Sequence, residues 1–181
     1  MLQLLKLNQT IIGDYMNTKR LISLSLFLSM AIVLSIVESF IPSISVPGAK
    51  LGLANIITLV VLNIYGEKDA FLVIILRIIL VGLLRGITIG FFLSLSGGIF
   101  AFLLMVIFKR MKIFSIISVS VMGSLGHSVG QIGMAIFILK TPQLVYYLPW
   151  IFLIAIPTGI FTGLVAKKFT EISEKAIIIR N

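Results

Sequence analysis

The chain has 181 residues, 59% of them hydrophobic and 12% charged, with a formal net charge of +9. A soluble globular domain carries about 25% charged residues, so this composition belongs to an integral membrane protein. The sequence contains no cysteine and one histidine, which excludes disulfides, cysteine-ligated zinc and iron–sulfur clusters and leaves no donor set for a dedicated metal site. No cofactor is expected. The excess basic charge gathers at the ends of apolar runs, where it sets topology and meets lipid headgroups rather than nucleic acid.

In chain order, residues 1–19 read as an N-terminal extension or interfacial segment. Residues 1–15 are mildly amphipathic and too short and polar to cross a bilayer, and an ordinary start of a membrane domain follows Met16. No small-residue cleavage site follows the first apolar run, so no signal peptide is read. Residues 20–168 are predicted to be an all-α bundle of six transmembrane helices. The first span is 21–41, ending before Pro42. The second is 50–65, closed by Gly66 and the charged turn Glu67-Lys68-Asp69. The third is 70–85, the fourth about 88–108, and the fifth about 113–139, closed by Lys140-Thr141-Pro142. The sixth is 144–166, and residues 169–181 form a C-terminal tail. A bilayer core needs about 20 helical residues, so the short second and third spans are expected to be tilted, bent or shielded by neighbours.

Placing the N-terminus in the cytoplasm puts Lys6, Lys19, Arg20, Lys68, Lys109, Arg110, Lys112, Lys167, Lys168, Lys175 and Arg180 inside, and Lys50, Arg85 and Lys140 outside. That bias predicts two cytoplasmic termini. The loops are too short to hold a soluble domain, so function must lie in the bundle, on its surface or in partners. Small residues recur four apart: Ala31, Ser35 and Ser39 on the first helix, Gly126 and Gly130 on the fifth, Gly159 and Gly163 on the sixth. Such spacing permits close helix approach. Internal packing is the favoured reading for the glycines, whereas the first-helix stripe fits either internal packing or another membrane protein.

Charges inside a membrane are costly and usually functional. Glu38 is the one carboxylate within a predicted span, and Arg77 lies near the middle of the third. Lys50 and Asn55 begin the second helix on the outer side, Arg85 ends the third there, and His127 and Gln131 share a face of the fifth. Tyr146, Tyr147 and Trp150 open the sixth. Apart from Arg77 these groups converge on the outer half, as a polar cavity open to the exterior would require. Glu38, Lys50, Asn55, Arg85, His127 and Gln131 are therefore the candidate substrate-binding residues. Each has a plainer reading. Lys50 and Arg85 also suit snorkelling to headgroups, Glu38 suits a structural pair with Arg77 or Arg85, and the aromatics suit an interfacial belt. The excess of Lys50, Arg77 and Arg85 over Glu38 favours an anionic or carboxylate-bearing small molecule.

The segments "PGAKLGLANIITLVVL" (47–62), "LRIILVGLLRG" (76–86), "LSLSGGIFAFLLM" (93–105) and "GSLGHSVGQIGMA" (123–135) together resemble the family of heptaprenyl diphosphate synthase component I, also called the Gx transporter family. The resemblance covers roughly residues 17–168. That family in turn is similar to the substrate-binding S components of energy-coupling factor (ECF) importers of the bacterial cytoplasmic membrane. The resemblance implies a six-helix fold with cytoplasmic termini and an outward-facing pocket. It also implies a transmembrane coupling subunit and two cytoplasmic ATPases as partners, with docking through small residues of the first helix, here Ala31 and Ser35. Serine in place of alanine departs from the family pattern.

The enzyme name implies different chemistry. A prenyl diphosphate synthase holds magnesium through aspartate-rich motifs to neutralise the diphosphate leaving group. The two aspartates here, Asp14 and Asp69, stand apart, and no GxxxxGK[ST] loop is present. The chain is therefore not expected to be an enzyme. Its function classes are a transport subunit, an accessory membrane component of isoprenoid biosynthesis, and a membrane scaffold for electron transfer.

Overall fold

The computed structural model describes residues 18–40 and 52–178, and among these every regular element is helical. Six α-helices follow in order: α1 (Thr18–Phe40), α2 (Leu53–Ile64), α3 (Glu67–Arg85), α4 (Ile89–Arg110), α5 (Ile116–Leu139) and α6 (Leu148–Ile178), the last preceded by a 3₁₀ helix at Pro142–Tyr147. Four stretches are long and apolar enough to cross a membrane: Arg20–Phe40, Ile89–Arg110, Ile116–Leu139 and Pro142–Ser173. The protein is thus all-α and of the membrane type.

The six helices match the six predicted spans in order, but α2 and α3 do not qualify as spans on length and composition. The 12 residues of α2 make about 18 Å of helix, against a hydrocarbon core of about 30 Å. Residues Ala54 to Leu62 are all buried, because α2 is enclosed by α1, α3, α4, α5 and α6. A helix that is apolar all round belongs in a core, and α2 is the axis of this one.

The charged triplet Glu67-Lys68-Asp69 forms the first turn of α3 rather than a loop. Gly66, with φ of 95°, takes the turn instead. Carboxylates in a first turn face the positive end of the helix dipole. At the other limit α6 runs on to Ile178, so most of the predicted tail from 169 continues the helix. Pro157 within α6 removes one backbone donor. Beside it, the Thr158 hydroxyl donates to the Ile154 and Ala155 carbonyls at 2.9 and 3.1 Å.

Glycines draw α4, α5 and α6 into an antiparallel stack. A Cβ at Gly130 would lie 2.7 Å from the Ser96 carbonyl oxygen, and one at Gly126 would lie 2.9 Å from that of Phe100. On the other side of α5, Gly159 and Gly163 of α6 abut the backbone at Val121 and Ile117. The four-residue glycine spacings therefore serve internal packing, and Ser96 adds a 2.8 Å hydrogen bond to the Gly130 carbonyl.

One end of the bundle is tied by charges. The Arg20 guanidinium of α1 donates to Asp69 of α3 at 2.5 and 2.8 Å. Arg110 of α4 donates to both Glu67 oxygens at 2.5 and 2.7 Å, which holds the Glu67 carboxyl below the usual carboxylate range. The Lys109 ammonium donates to the Leu62 carbonyl, fixing the end of α2 against α4. This basic end lies opposite the end at which α1 finishes and α2 begins.

Candidate functional site

Away from the basic end, α1, α2, α3 and α5 bring polar side chains to the bundle, and α4 supplies glycines against them. Asn55 and Thr58 are three residues apart on α2 and so share a face; both are buried, Thr58 completely. Asn55 is about 10 Å along α2 from Leu62, on the side away from the basic end. Gly52 precedes the helix in a left-handed conformation, φ 73°, which glycine adopts without steric cost. Its amide donates to the Glu38 carboxylate of α1, and its α-carbon borders the Asn55 amide. The carboxylate thus pins the start of α2 to the end of α1.

Glu38 also acts electrostatically on Arg77, which is buried on α3. The Arg77 guanidinium reaches α4, where Nη2 lies 3.7 Å from the position a Cβ would occupy at Gly98. The adjacent glycine, Gly97, faces α5. A Cβ there would fall 2.7 Å from the Gln131 side chain and 2.9 Å from the His127 ring. His127 and Gln131 are both buried, Gln131 to within 1% of full enclosure. Gly97 thus lets the α4 backbone accept an imidazole and a carboxamide of α5, while Gly98 accepts Ile78 of α3 with Arg77 alongside.

Hydrogen bonding separates these groups. Both amide atoms of Asn55, both amide atoms of Gln131 and the Thr58 hydroxyl are buried with no hydrogen-bond partner among the described residues. Each such group costs about 1–3 kcal/mol when left unsatisfied. Three of them inside one bundle are not a device for stability. Two carboxamides and a hydroxyl present both donors and acceptors, so each is equipped to pair with a polar group brought in from outside. Among the described residues no set of three His, Asp or Glu side chains could hold a metal ion.

The model of the family described as heptaprenyl diphosphate synthase component I matches residues 27–169. The chain belongs to that family. No curated protein and no solved structure matches it. The matched stretch takes in the whole buried set, from Glu38 to Gln131, together with both glycine seams.

Within this family member, four of the six candidate binding residues, Glu38, Asn55, His127 and Gln131, belong to the linked set just described. Arg85 does not. It is exposed at the end of α3, where a long cationic side chain is free to reach solvent or headgroups. Lys50 lies outside the described residues. Tyr146 and Trp150 are 76% and 65% exposed, in keeping with an interfacial belt. The small residues of the first helix differ in exposure. Ala31 is completely buried in the core cluster it shares with α2 and α3, because its small side chain lets α1 close on them. Ser35 is half-buried, and the Ser39 hydroxyl donates to the Ile36 carbonyl at 2.5 Å.

Sequence reasoning missed Thr58 and set Arg77 apart. Thr58 carried a usable signal, three residues after Asn55 in an otherwise aliphatic helix. For Arg77 no local signal shows which helix its guanidinium meets.

Proposed function

We propose that this chain is the substrate-binding subunit of an ECF-type importer, which captures a small molecule among Glu38, Asn55, His127 and Gln131. The observation that carries this reading is the set of fully buried, unpartnered carboxamides on α2 and α5. A structural or scaffold subunit gains nothing from such groups, whereas a binding subunit gains affinity from them only when its ligand is present. In this reading the chain sits in the bacterial cytoplasmic membrane with both termini inside, and the polar set opens outward. It is not itself an enzyme. A transmembrane coupling subunit and two cytoplasmic ATPases supply the energy, since no nucleotide-binding motif is present in the sequence.

Family membership favours a second reading, an accessory membrane component of heptaprenyl diphosphate synthase. Tagged protein recovered from native membranes separates the two. The first predicts ATPases and a coupling subunit in the eluate, and the second a soluble prenyl synthase. The same eluate, given magnesium, isopentenyl diphosphate and an allylic diphosphate, makes no long-chain product under the first reading. Long-chain product, or a soluble synthase in place of ATPases, would transfer the chain to the second.

A further inference from the structure

The charge balance of the buried set narrows the ligand. Counting charges along the sequence gives an excess of cations and favours an anion, but the fold distributes them differently. Arg85 is exposed, and the buried Arg77 has the Glu38 carboxylate acting on it. Among the described residues, Arg77 and Asp69 are the buried arginine and aspartate, and Asp69 is paired with Arg20 at the basic end. Asn55, Thr58 and Gln131 have unused hydrogen-bonding capacity, and all three are uncharged.

We infer that the ligand presents to these three residues an uncharged edge carrying N–H and C=O groups side by side, as in a carboxamide, a lactam, a ureido group or a pyrimidinedione ring. The inference deepens the capture-subunit reading and rests on it. Each carboxamide offers an acceptor oxygen beside N–H donors, so an edge of alternating donor and acceptor satisfies both kinds of atom on Asn55 and on Gln131. The Thr58 hydroxyl serves as either. A carboxylate or phosphate offers acceptors alone. It would leave the Asn55 and Gln131 oxygens unsatisfied and bring a charge against three side chains that carry none to offset it. An isolated charge in a low-dielectric site costs far more than an amide.

The test uses the full chain purified in detergent and reads its melting temperature. In the protein without ligand, replacing an unpartnered buried polar group by an apolar one of similar shape removes an unsatisfied group. Thr58→Val, Asn55→Leu and Gln131→Met should therefore each melt higher than the parent, by about 2–4 °C. If they melt lower, the groups already have structural partners and the inference fails. The second arm uses matched probes at millimolar concentration, benzamide against benzoate and uracil against orotate. The amide member of each pair should raise the parent's melting temperature more than its carboxylate partner does, and should do nothing to the Asn55→Leu/Gln131→Met double variant. Amide probes that give no larger shift than the carboxylates would overturn the uncharged edge. ATPases in the native eluate with a carboxylate preference here would keep the importer and remove this ligand class. An amide preference without ATPases would keep the site and remove the importer.

Discussion

Lys109 and Arg110 are neighbours in sequence and both count as cations of the basic end, yet the fold gives them different work. The Lys109 ammonium is half-buried and donates to the Leu62 carbonyl. The last carbonyls of a helix lack intrahelical donors, and Val61 already accepts from the Tyr65 and Gly66 amides at 2.8 and 3.2 Å. Lysine therefore completes the capping of α2, at the negative end of its dipole. Lys109→Met should destabilise the protein by about 1.5 kcal/mol, the low end for a hydrogen bond with a charged partner. Arg110 is 70% exposed at its side chain, and exposed pairs contribute little. Arg110→Met should leave the melting temperature nearly unchanged. Thermal melts of the two variants in one detergent check the contrast, and equal falls would mean that the Leu62 cap is not special. The sequence revealed both charges but not this division, since nothing local tells a lysine which carbonyl lies above it.

Among elements, α5 packs most closely with its neighbours, and its glycines are not equivalent. Gly130 meets the backbone of α4, whereas a Cβ at Gly133 would meet nothing within 4 Å. Beyond Gly130 the seam opens into an apolar groove lined by Ser96, Phe100, Gly133 and Phe137. Gly130→Ala has to push α4 and α5 apart, at a cost of about 1–3 kcal/mol. Gly133→Ala adds a side chain in open space and gains helix propensity, up to about 1 kcal/mol. Opposite shifts in melting temperature are expected, and a fall in both variants would show that the seam stays closed past Gly130. The four-residue repeat was legible in the sequence. Where two helices diverge was not, because divergence depends on residues of α4 as much as of α5.

For the whole molecule, two salt bridges and the Lys109 cap gather Arg20, Glu67, Asp69, Lys109 and Arg110 at one end, the end that the sequence assigns to the cytoplasm. A reporter fused after Lys168 should be active only in a form that works in the cytoplasm. Strong activity of an exported-type reporter at that site would reverse the orientation and turn the buried polar set toward the cytoplasm. The orientation does not require α2 to span. Its 12 residues lie inside a ring of other helices, so lipid thickness places no demand on its length.

The sequence by itself determined the membrane class, the helix order, the breakers between helices and the family, since each is written in local composition or in motifs along the chain. It also marked Glu38, Asn55, His127 and Gln131 as polar groups in apolar surroundings. Only the tertiary structure decided which of the marked residues are joined. Arg85 and Arg77 are eight residues apart in the sequence, yet one is exposed and the other buried. Ala31 fits either internal packing or a partner by its spacing, and the fold buries it in the core. The physical reason is that apolar side chains surround these helices on nearly every face. In a soluble helix the polar stripe identifies the side turned to water. In a membrane, lipid and protein interior are equally apolar, so periodicity does not distinguish the face that meets lipid from the face that meets another helix.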